Sequence, residues 1–287
     1  MTSLAQEWSH DPARFPERTV MDPRADSYIL FTSGSTGVPK GIKLHQQGMM
    51  NCAAYTSQAY GPGQVNFLQQ TSIGFDLAFG QIYNALTNGG TLVAASVEGR
   101  GDPDALSRLI HDEKVEYTLA TPSEYSLLLN YASEVLKRCA GWRCAHTAGE
   151  VLPNRLIEGM RDLKLPRLTL TDAYGPAEAF IVTNRDITVH AGAAPSFSNA
   201  DDDTDKPKKS NTTKADSTNI GRVLPNTSVY IGDETDGSNP LPVGVPGELC
   251  IAGGGVANGY LDAALSATKF VPNPHATAAV HYYRKRH

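Results

Sequence analysis

Cysteine is scarce in this sequence. Cys52, Cys139, Cys144 and Cys250 are the whole complement among 287 residues, with no CxxC spacing and no zinc-like cluster. A reducing compartment suits such a chain better than a disulfide framework. No charge of one sign dominates either: 25 Lys+Arg against 30 Asp+Glu leave a formal net charge of −5. That balance gives no global pull toward nucleic acid or an anionic membrane, so any phosphate binding has to be local. Long apolar runs are missing, and stretches such as Leu92–Ala95 fall far short of a membrane span. The first twenty residues carry acids and prolines but no apolar h-region, which excludes a signal peptide. A cytoplasmic location is expected. The hydrophobic fraction of 40% excludes wholesale disorder, and the length suits one or two domains.

The order along the chain is that of an α/β protein. Residues 1–26 form a polar, proline-punctuated lead-in. A β-type run, Tyr28–Phe31, enters a Gly/Ser/Thr loop over 32–41, and a helix-compatible stretch follows to about Ala59. Phe79, Ile82, Tyr83 and Leu86 recur at helical spacing and predict an amphipathic helix, ended by Asn88-Gly89-Gly90. Thr91–Ala95 reads as a strand. Asp102-Pro103 reads as a cap with proline at the first helical position, opening a helix through His111. A strand (Glu116–Ala120), a helix (Ser123–Tyr131), a strand (Arg143–Thr147), a helix near Asn154–Leu163 and a strand (Arg167–Thr171) continue the series. This alternation implies mainly parallel sheets with helices packed on them, and ligands at the carboxyl ends of the strands. Residues 27–189 are expected to hold the α/β core. A flexible Ser/Asp/Lys-rich insertion follows over 190–219, with a β-rich remainder over 220–270. The last residues, 271–287, show neither periodicity nor a capping signal and read as an atypical, truncated tail.

The stretch Thr32-Ser33-Gly34-Ser35-Thr36-Gly37-Val38-Pro39-Lys40-Gly41 carries the most chemistry. Its glycines permit close backbone approach to a ligand, its four hydroxyls can donate to phosphate oxygens, and Lys40 adds a positive charge. It is not a Walker A loop, because Gly41 rather than Ser or Thr follows the lysine. A plain polar surface turn is the competing reading. It does not account for the preceding strand, the hydroxyls packed among glycines, or the lysine after proline.

This loop resembles the TSGSTGxPKG signature of the AMP-forming adenylating superfamily. Asp172-Ala173-Tyr174-Gly175-Pro176-Ala177-Glu178 is similar to that family's YGPTE segment, with Ala177 in place of Thr. Asn219-Ile220-Gly221-Arg222 and Gly247–Ile251 resemble two later motifs in the same order. Within the superfamily the chain most resembles a nonribosomal peptide synthetase adenylation domain, over about Ser27 to Phe270.

The resemblance implies that a substrate carboxylate attacks the α-phosphate of MgATP, giving an acyl-adenylate and pyrophosphate. Thr32, Ser33, Gly34, Ser35, Thr36, Gly37 and Lys40 would hold the β- and γ-phosphates, with Lys40 and Thr36 the catalytic members. Ala173 and Tyr174 would line adenine and ribose. Asp172, where the family often has Asn, could accept from the purine amino group but could not donate. Glu178 would hold Mg²⁺, a hard cation that prefers oxygen ligands.

Asp76 matches the family aspartate that pairs with an amino acid's α-ammonium. A carboxylate at an apolar helix entry is costly without a cation, although an N-cap role competes on sequence alone. The same alignment gives a side-chain pocket of Leu77, Gly80, Leu119, His146, Ala148, Ala173, Ile181 and Val182. His146 is as well explained as a satisfied core histidine. Gly80 implies a deep pocket, and the aliphatic walls imply a sizeable, mostly apolar side chain.

The family's ribose-binding TGD aspartate, its C-terminal subdomain with a substrate-contacting lysine, and the carrier and condensation domains find no match here. A complete synthetase would add a carrier-protein partner bearing phosphopantetheine, and turnover by the chain alone is left open. An acyl- or aryl-CoA ligase relative and a catalytically silent nucleotide-binding fragment are the alternatives. No nucleic acid or membrane partner is expected.

Overall fold

The computed structural model describes residues 21–33, 37–60, 63–187, 189, 219–233, 239–273 and 281–285. In chain order the elements are β1 (Asp26–Thr32), β2 (Lys40–His45), α1 (Gln46–Tyr60), β3 (Asn66–Gln69), α2 (Asp76–Thr87), β4 (Thr91–Ala94) and α3 (Pro103–Asp112). There follow β5 (Tyr117–Ala120), α4 (Pro122–Leu136), β6 (Cys144–Ala148), α5 (Asn154–Asp162), β7 (Thr169–Tyr174), β8 (Thr183–Ile187) and β9 (Arg222–Val223). The chain closes with β10 (Thr227–Gly232), β11 (Glu248–Gly253), α6 (Ala263–Lys269), β12 (Phe270–Pro272) and β13 (His281–Lys285).

Each of β3, β4, β5 and β6 is followed by a helix, and the strands β3 to β7 are parallel. Their sheet has the order β4-β3-β5-β6-β7-β8-β9, with β8 and β9 antiparallel at one edge. Both faces are covered. Leu68, Ala120, Ala145 and Leu170 meet α3, α4 and α5, where Ile110, Tyr125, Leu128, Leu156 and Met160 complete the larger core. The alternate residues Phe67, Tyr117, Leu119, Cys144, Ala148 and Ala173 meet α2 through Leu77 and Ala85. A period of two along each strand thus splits the core between the two faces. At the bottom of the larger core Trp142, fully buried, donates from Nε1 to Thr118 Oγ1 and the Cys144 carbonyl, each at 3.1 Å.

Helix starts follow the local signals. Asp102 accepts from Asp104 N–H at 3.0 Å ahead of Pro103. Thr121 and Glu124 close a capping box ahead of α4, each side chain bonded to the other's backbone N–H.

Two expectations are corrected. The segment after the glycine-rich loop begins as a strand, not a helix. Ile42 and Leu44 are fully buried and alternate with Gly41 and Lys43, the period of β2, which pairs antiparallel with β1. The helix containing Phe79–Leu86 exists, but its fully buried stripe is Ala78, Gln81, Asn84 and Ala85, and Leu86 is exposed. Gln81 is tolerated there because its amide is satisfied, donating to the Leu119 carbonyl at 2.7 Å and Thr71 Oγ1 at 2.8 Å. Within the tail, β13 enters a four-stranded antiparallel sheet between β11 and β12. A strand paired on both sides draws its order from the ladder, so sequence periodicity was a poor guide. Residues 190–218 of the expected insertion, and the lead-in through residue 20, lie outside the described residues.

Candidate active site

A cavity of about 610 Å³ opens at the carboxyl ends of β3, β5 and β6, the side expected for a ligand in a parallel sheet. Its walls are largely apolar. Helix α1 contributes Met49, Cys52 and Ala53; strand ends contribute Leu119 and Ala148; the loop after β7 contributes Phe180 and Ile181. Helix α2 lays Asp76, Leu77, Gly80, Tyr83 and Asn84 along one side. Polar groups gather where the strands end: Gln70, Thr71 and Ser72 after β3, Thr121 and Glu124 after β5, and Glu150 after β6. Arg100 also reaches this wall.

Asp76 is the first helical residue of α2, with Phe75 in the capping position, so it is not the N-cap. Its carboxylate accepts from the N–H groups of Leu77 and itself, yet burial pushes its pKa up, helped by the negative charge of Glu178. Among the described residues no Lys, Arg or His forms an ion pair with it. Among the described residues, backbone donors alone offset the desolvation of this carboxyl group in a mostly apolar cavity.

Of the expected pocket residues, Asp76, Leu77, Gly80, Leu119, Ala148 and Ile181 line the cavity. Ala173 sits beside it, packed with Leu77, Leu119, Ala148 and Ile181. Val182 does not line it and is fully buried in the core shared with Leu30, Ile42 and Tyr260. His146 does not line it either. It lies between Cys144 and Ala148 on the α2 face of β6, with Nδ1 2.8 Å from Thr171 Oγ1 and Nε2 3.3 Å from Cys144 Sγ. Burial lowers its pKa to about 4, so it is a neutral core histidine at ordinary pH.

The glycine-rich loop joins β1 to β2 and is therefore a hairpin tip, with Thr32 ending one strand and Lys40 opening the next. Among the described residues it is a strand, β2, that follows the loop, where a Walker loop leads into a helix. Gly34, Ser35 and Thr36 lie outside the described residues. Gly37 has φ +81° with open space around it, a conformation that favours glycine. Lys40 Nζ lies 6.0 Å from the centroid of the Tyr260 ring, whose hydroxyl donates to Glu178 Oε1 at 2.6 Å. Tyr260 thus ties the base of the hairpin to the Tyr174–Glu178 segment. That segment turns sharply. Phe180 is left-handed at φ 53°, and a Cβ on Gly175 would overlap the Phe180 carbonyl oxygen.

Asp172 is committed within the protein: Oδ2 accepts from Arg185 Nη2 at 2.9 Å and Oδ1 from Thr147 Oγ1 at 3.1 Å. Burial raises its pKa while Arg185 opposes that shift. Among the described residues no group of three His, Cys, Asp or Glu could hold a metal. A single carboxylate still fits Mg²⁺, which keeps several waters and takes phosphate oxygens as further ligands. Glu178, half-buried and fixed by Tyr260, meets that requirement.

Sequence reasoning missed Gln70, Asn84, Arg100, Glu124, Glu150 and Tyr260. The Thr121–Glu124 capping box was legible in its TxxE spacing. Gln70 was hidden because β3 is only four residues long, and Tyr260 carried no signal.

A family model described as AMP-binding enzyme matches residues 2–261. The chain is 45% identical over 254 residues to the hybrid PKS-NRPS synthetase apdA of Emericella nidulans, covering 88% of this chain and 6% of that protein. It is 39% identical over 249 residues to cyclo-acetoacetyl-L-tryptophan synthase of Aspergillus oryzae, covering 86% of this chain. It spans about 6% of the length of each of these relatives. Among solved structures, the N-terminal subdomain of Klebsiella oxytoca NpsA in complex with 3-hydroxyanthranilyl-AMSN aligns with a TM-score of 0.71 at 25% identity. That alignment covers 95% of this chain and 63% of the other. The AMPPNP-bound form of the nonribosomal peptide synthetase FmoA3 aligns at 0.72 and 25%, covering 91% and 26%. Among the described residues no helix is long and apolar enough to cross a membrane.

Proposed function

This chain belongs to the AMP-binding enzyme family, as an adenylation domain of the nonribosomal peptide synthetase type, and from that premise we propose that it activates an amino acid. The reaction joins a substrate carboxylate oxygen to the α-phosphorus of ATP while the α–β phosphoanhydride bond breaks, releasing pyrophosphate and leaving an aminoacyl-adenylate. The protein's part is positioning and charge neutralisation.

The observation that carries the reading is Asp76, a carboxylate with no ion-pair partner among the described residues, in a largely apolar cavity. An α-ammonium group supplies the missing charge. An acyl- or aryl-acid substrate would leave the carboxylate buried and unpaired, which is why the CoA-ligase alternative is less well supported. In this reading Leu77, Gly80, Leu119, Ala148 and Ile181 surround the amino acid's side chain, with Ala173 behind them. His146 and Val182 act through the packing of that wall rather than by contact.

The hydroxyls of Thr32, Ser33, Ser35 and Thr36, with Gly34, Gly37 and Lys40, receive the β- and γ-phosphates. Lys40 and Thr36 stabilise the charge that develops on the leaving pyrophosphate. Ala173 and Tyr174 line the nucleoside. Asp172, already held by Arg185 and Thr147, fixes the strand end beside the purine and offers it an acceptor. Glu178, oriented by Tyr260, would hold Mg²⁺, which would neutralise phosphate charge when bound. The aminoacyl group then passes to a phosphopantetheine-bearing carrier domain. Support for that partner comes from NpsA-ThdA, solved as a fused adenylation–PCP di-domain.

Amino-acid-dependent ATP–pyrophosphate exchange tests the proposal, with a panel of amino acids and Lys40→Ala as control. Exchange with an amino acid that the control lacks is expected. A folded chain that binds ATP but exchanges with none would leave the silent nucleotide-binding fragment as the better description.

A further inference from the structure

Two phenols meet at Glu178. Tyr260 donates to its Oε1 at 2.6 Å, and the Tyr283 hydroxyl is hydrogen-bonded to both the Tyr260 hydroxyl and the Glu178 carboxylate. Strand alternation delivers Tyr283. In the four-stranded sheet it stands between Ile251 and Phe270, and Ile251 pairs in turn with Val229. That row of side chains faces the core containing Leu30, Ile42 and Tyr260. Tyr283 is 7% exposed there, and the Phe270 ring packs against both phenols, its centroid 5.2 Å from each.

The other side of the network is pinned to the glycine-rich hairpin. Tyr260 forms a β-bridge with Ile42. Next to it, Leu261 N–H donates to the Gly41 carbonyl and Lys43 N–H to the Gly259 carbonyl, each at 2.8 Å. Glu178 is fixed through its main chain as well, its carbonyl accepting from Ala257 N–H at 2.8 Å. Four segments distant in sequence thus converge on one carboxylate beside the base of the hairpin.

Resting on the reading of Glu178 as the Mg²⁺ ligand, we propose that Tyr283 is a second positioning residue for that carboxylate, which makes strand β13 part of the metal site. Each phenol has one proton to donate. Tyr260 gives its own to Glu178 Oε1, so Tyr283 is the remaining donor, and the carboxylate and the Tyr260 oxygen are its acceptors. An ionised carboxylate offers about four acceptor positions, which leaves room for a metal ion beside two phenols. A glutamate without anchors would give up rotamer freedom on meeting the ion. With both hydroxyls in place, that ordering precedes binding. Packing does not call for the Tyr283 hydroxyl, because phenylalanine would present the same ring to Ile251 and Phe270.

The test is calorimetric titration of ATP into the 287-residue chain, once in excess MgCl₂ and once in EDTA, with no amino acid present. The ratio of the two affinities reports what the metal adds. Tyr283→Phe is expected to lower that ratio about fivefold or more, with the metal-free affinity kept within about twofold. A smaller fall, or an equal loss in both media, overturns the proposal and leaves Tyr283 as packing alone. Should that variant not fold, Tyr260→Phe decides. Tyr283 still holds the carboxylate there, so the ratio should stay above that of Glu178→Gln; a loss as complete as in Glu178→Gln overturns the proposal. A native ratio no greater than that of Glu178→Gln would instead remove Glu178 as the metal ligand, and this inference with it. Absence of ATP binding in either medium would remove the nucleotide site as a whole.

Discussion

Replacing Asp76 with Asn keeps the shape of the side chain and one acceptor for the Leu77 N–H, but removes the charge. Opposite unit charges 4 Å apart attract by about 4 kcal/mol at an effective dielectric of about 20. Part of that is lost to desolvation, and truncating one partner of a buried charge pair typically costs about 2–5 kcal/mol. A central figure of about 3 kcal/mol corresponds to roughly 100-fold weaker amino-acid affinity. Nucleotide affinity should stay within about twofold, because Asp76 belongs to the side-chain cavity rather than to the phosphate loop. The fold should also survive. Asn forgoes a helix-terminus term of about 0.3–1 kcal/mol but no longer buries a charge. The pH dependence separates these effects. Asp76 has its pKa raised in the folded state, so between the unfolded and folded pKa values the native chain binds more protons than the unfolded one. Its contribution to stability therefore falls as pH rises through that window. Asn does not titrate, so thermal melts of the ligand-free proteins should move in the variant's favour as pH rises through the carboxylate range. Calorimetry with amino acid and with ATP, run separately on both proteins, is the assay. Equal losses for the two ligands would refute the reasoning, because they would mean that Asp76 supports the fold rather than the ammonium.

Other perturbations have equally definite outcomes. Gly175→Ala forces a Cβ into the Phe180 carbonyl oxygen, and urea denaturation should show a loss of about 3 kcal/mol or more; a loss under about 1 kcal/mol would mean that the turn relaxes freely. Trp142→Phe removes the indole N–H from Thr118 Oγ1 and the Cys144 carbonyl, Thr118 keeping its bond to the Tyr125 hydroxyl, and opens a void under the sheet. Its expected cost is about 2–3 kcal/mol in the same assay. Tyr260→Phe removes the hydroxyl that fixes Glu178. It should raise the Mg²⁺ concentration for half-maximal exchange about tenfold or more, the usual consequence of losing a group that orients a metal ligand.

The parallel core was legible because its signals are local. Asp102-Pro103 caps a helix in the way its residue types dictate, and Leu170, Ala145 and Ala120 keep strand alternation. Most of β2 was misread as helix because the stretch from Ile42 to about Ala59 supports a helical pattern over most of its length. Only the fully buried pair Ile42 and Leu44 reveals the strand, and burial is a tertiary fact. The buried face of α2 escaped for a related reason. Its stripe includes Gln81 and Asn84, polar residues that a hydrophobic period cannot nominate and that hydrogen bonds make tolerable. In the site, Asp76 and the Leu77–Ile181 wall were readable from motif order. His146 was not separable from a pocket residue until Thr171 and Cys144 appeared beside it.

The direct test of the amino-acid reading compares two ligands on the unaltered chain: one aminoacyl-sulfamoyl adenosine and its counterpart lacking only the α-amino group. If Asp76 receives an α-ammonium, the amino compound binds on the order of 100-fold more tightly at neutral pH, and the advantage collapses in Asp76→Asn. If the desamino compound binds as well or better, the cavity is built for an acid without an amino group, and the assignment of Asp76 is wrong.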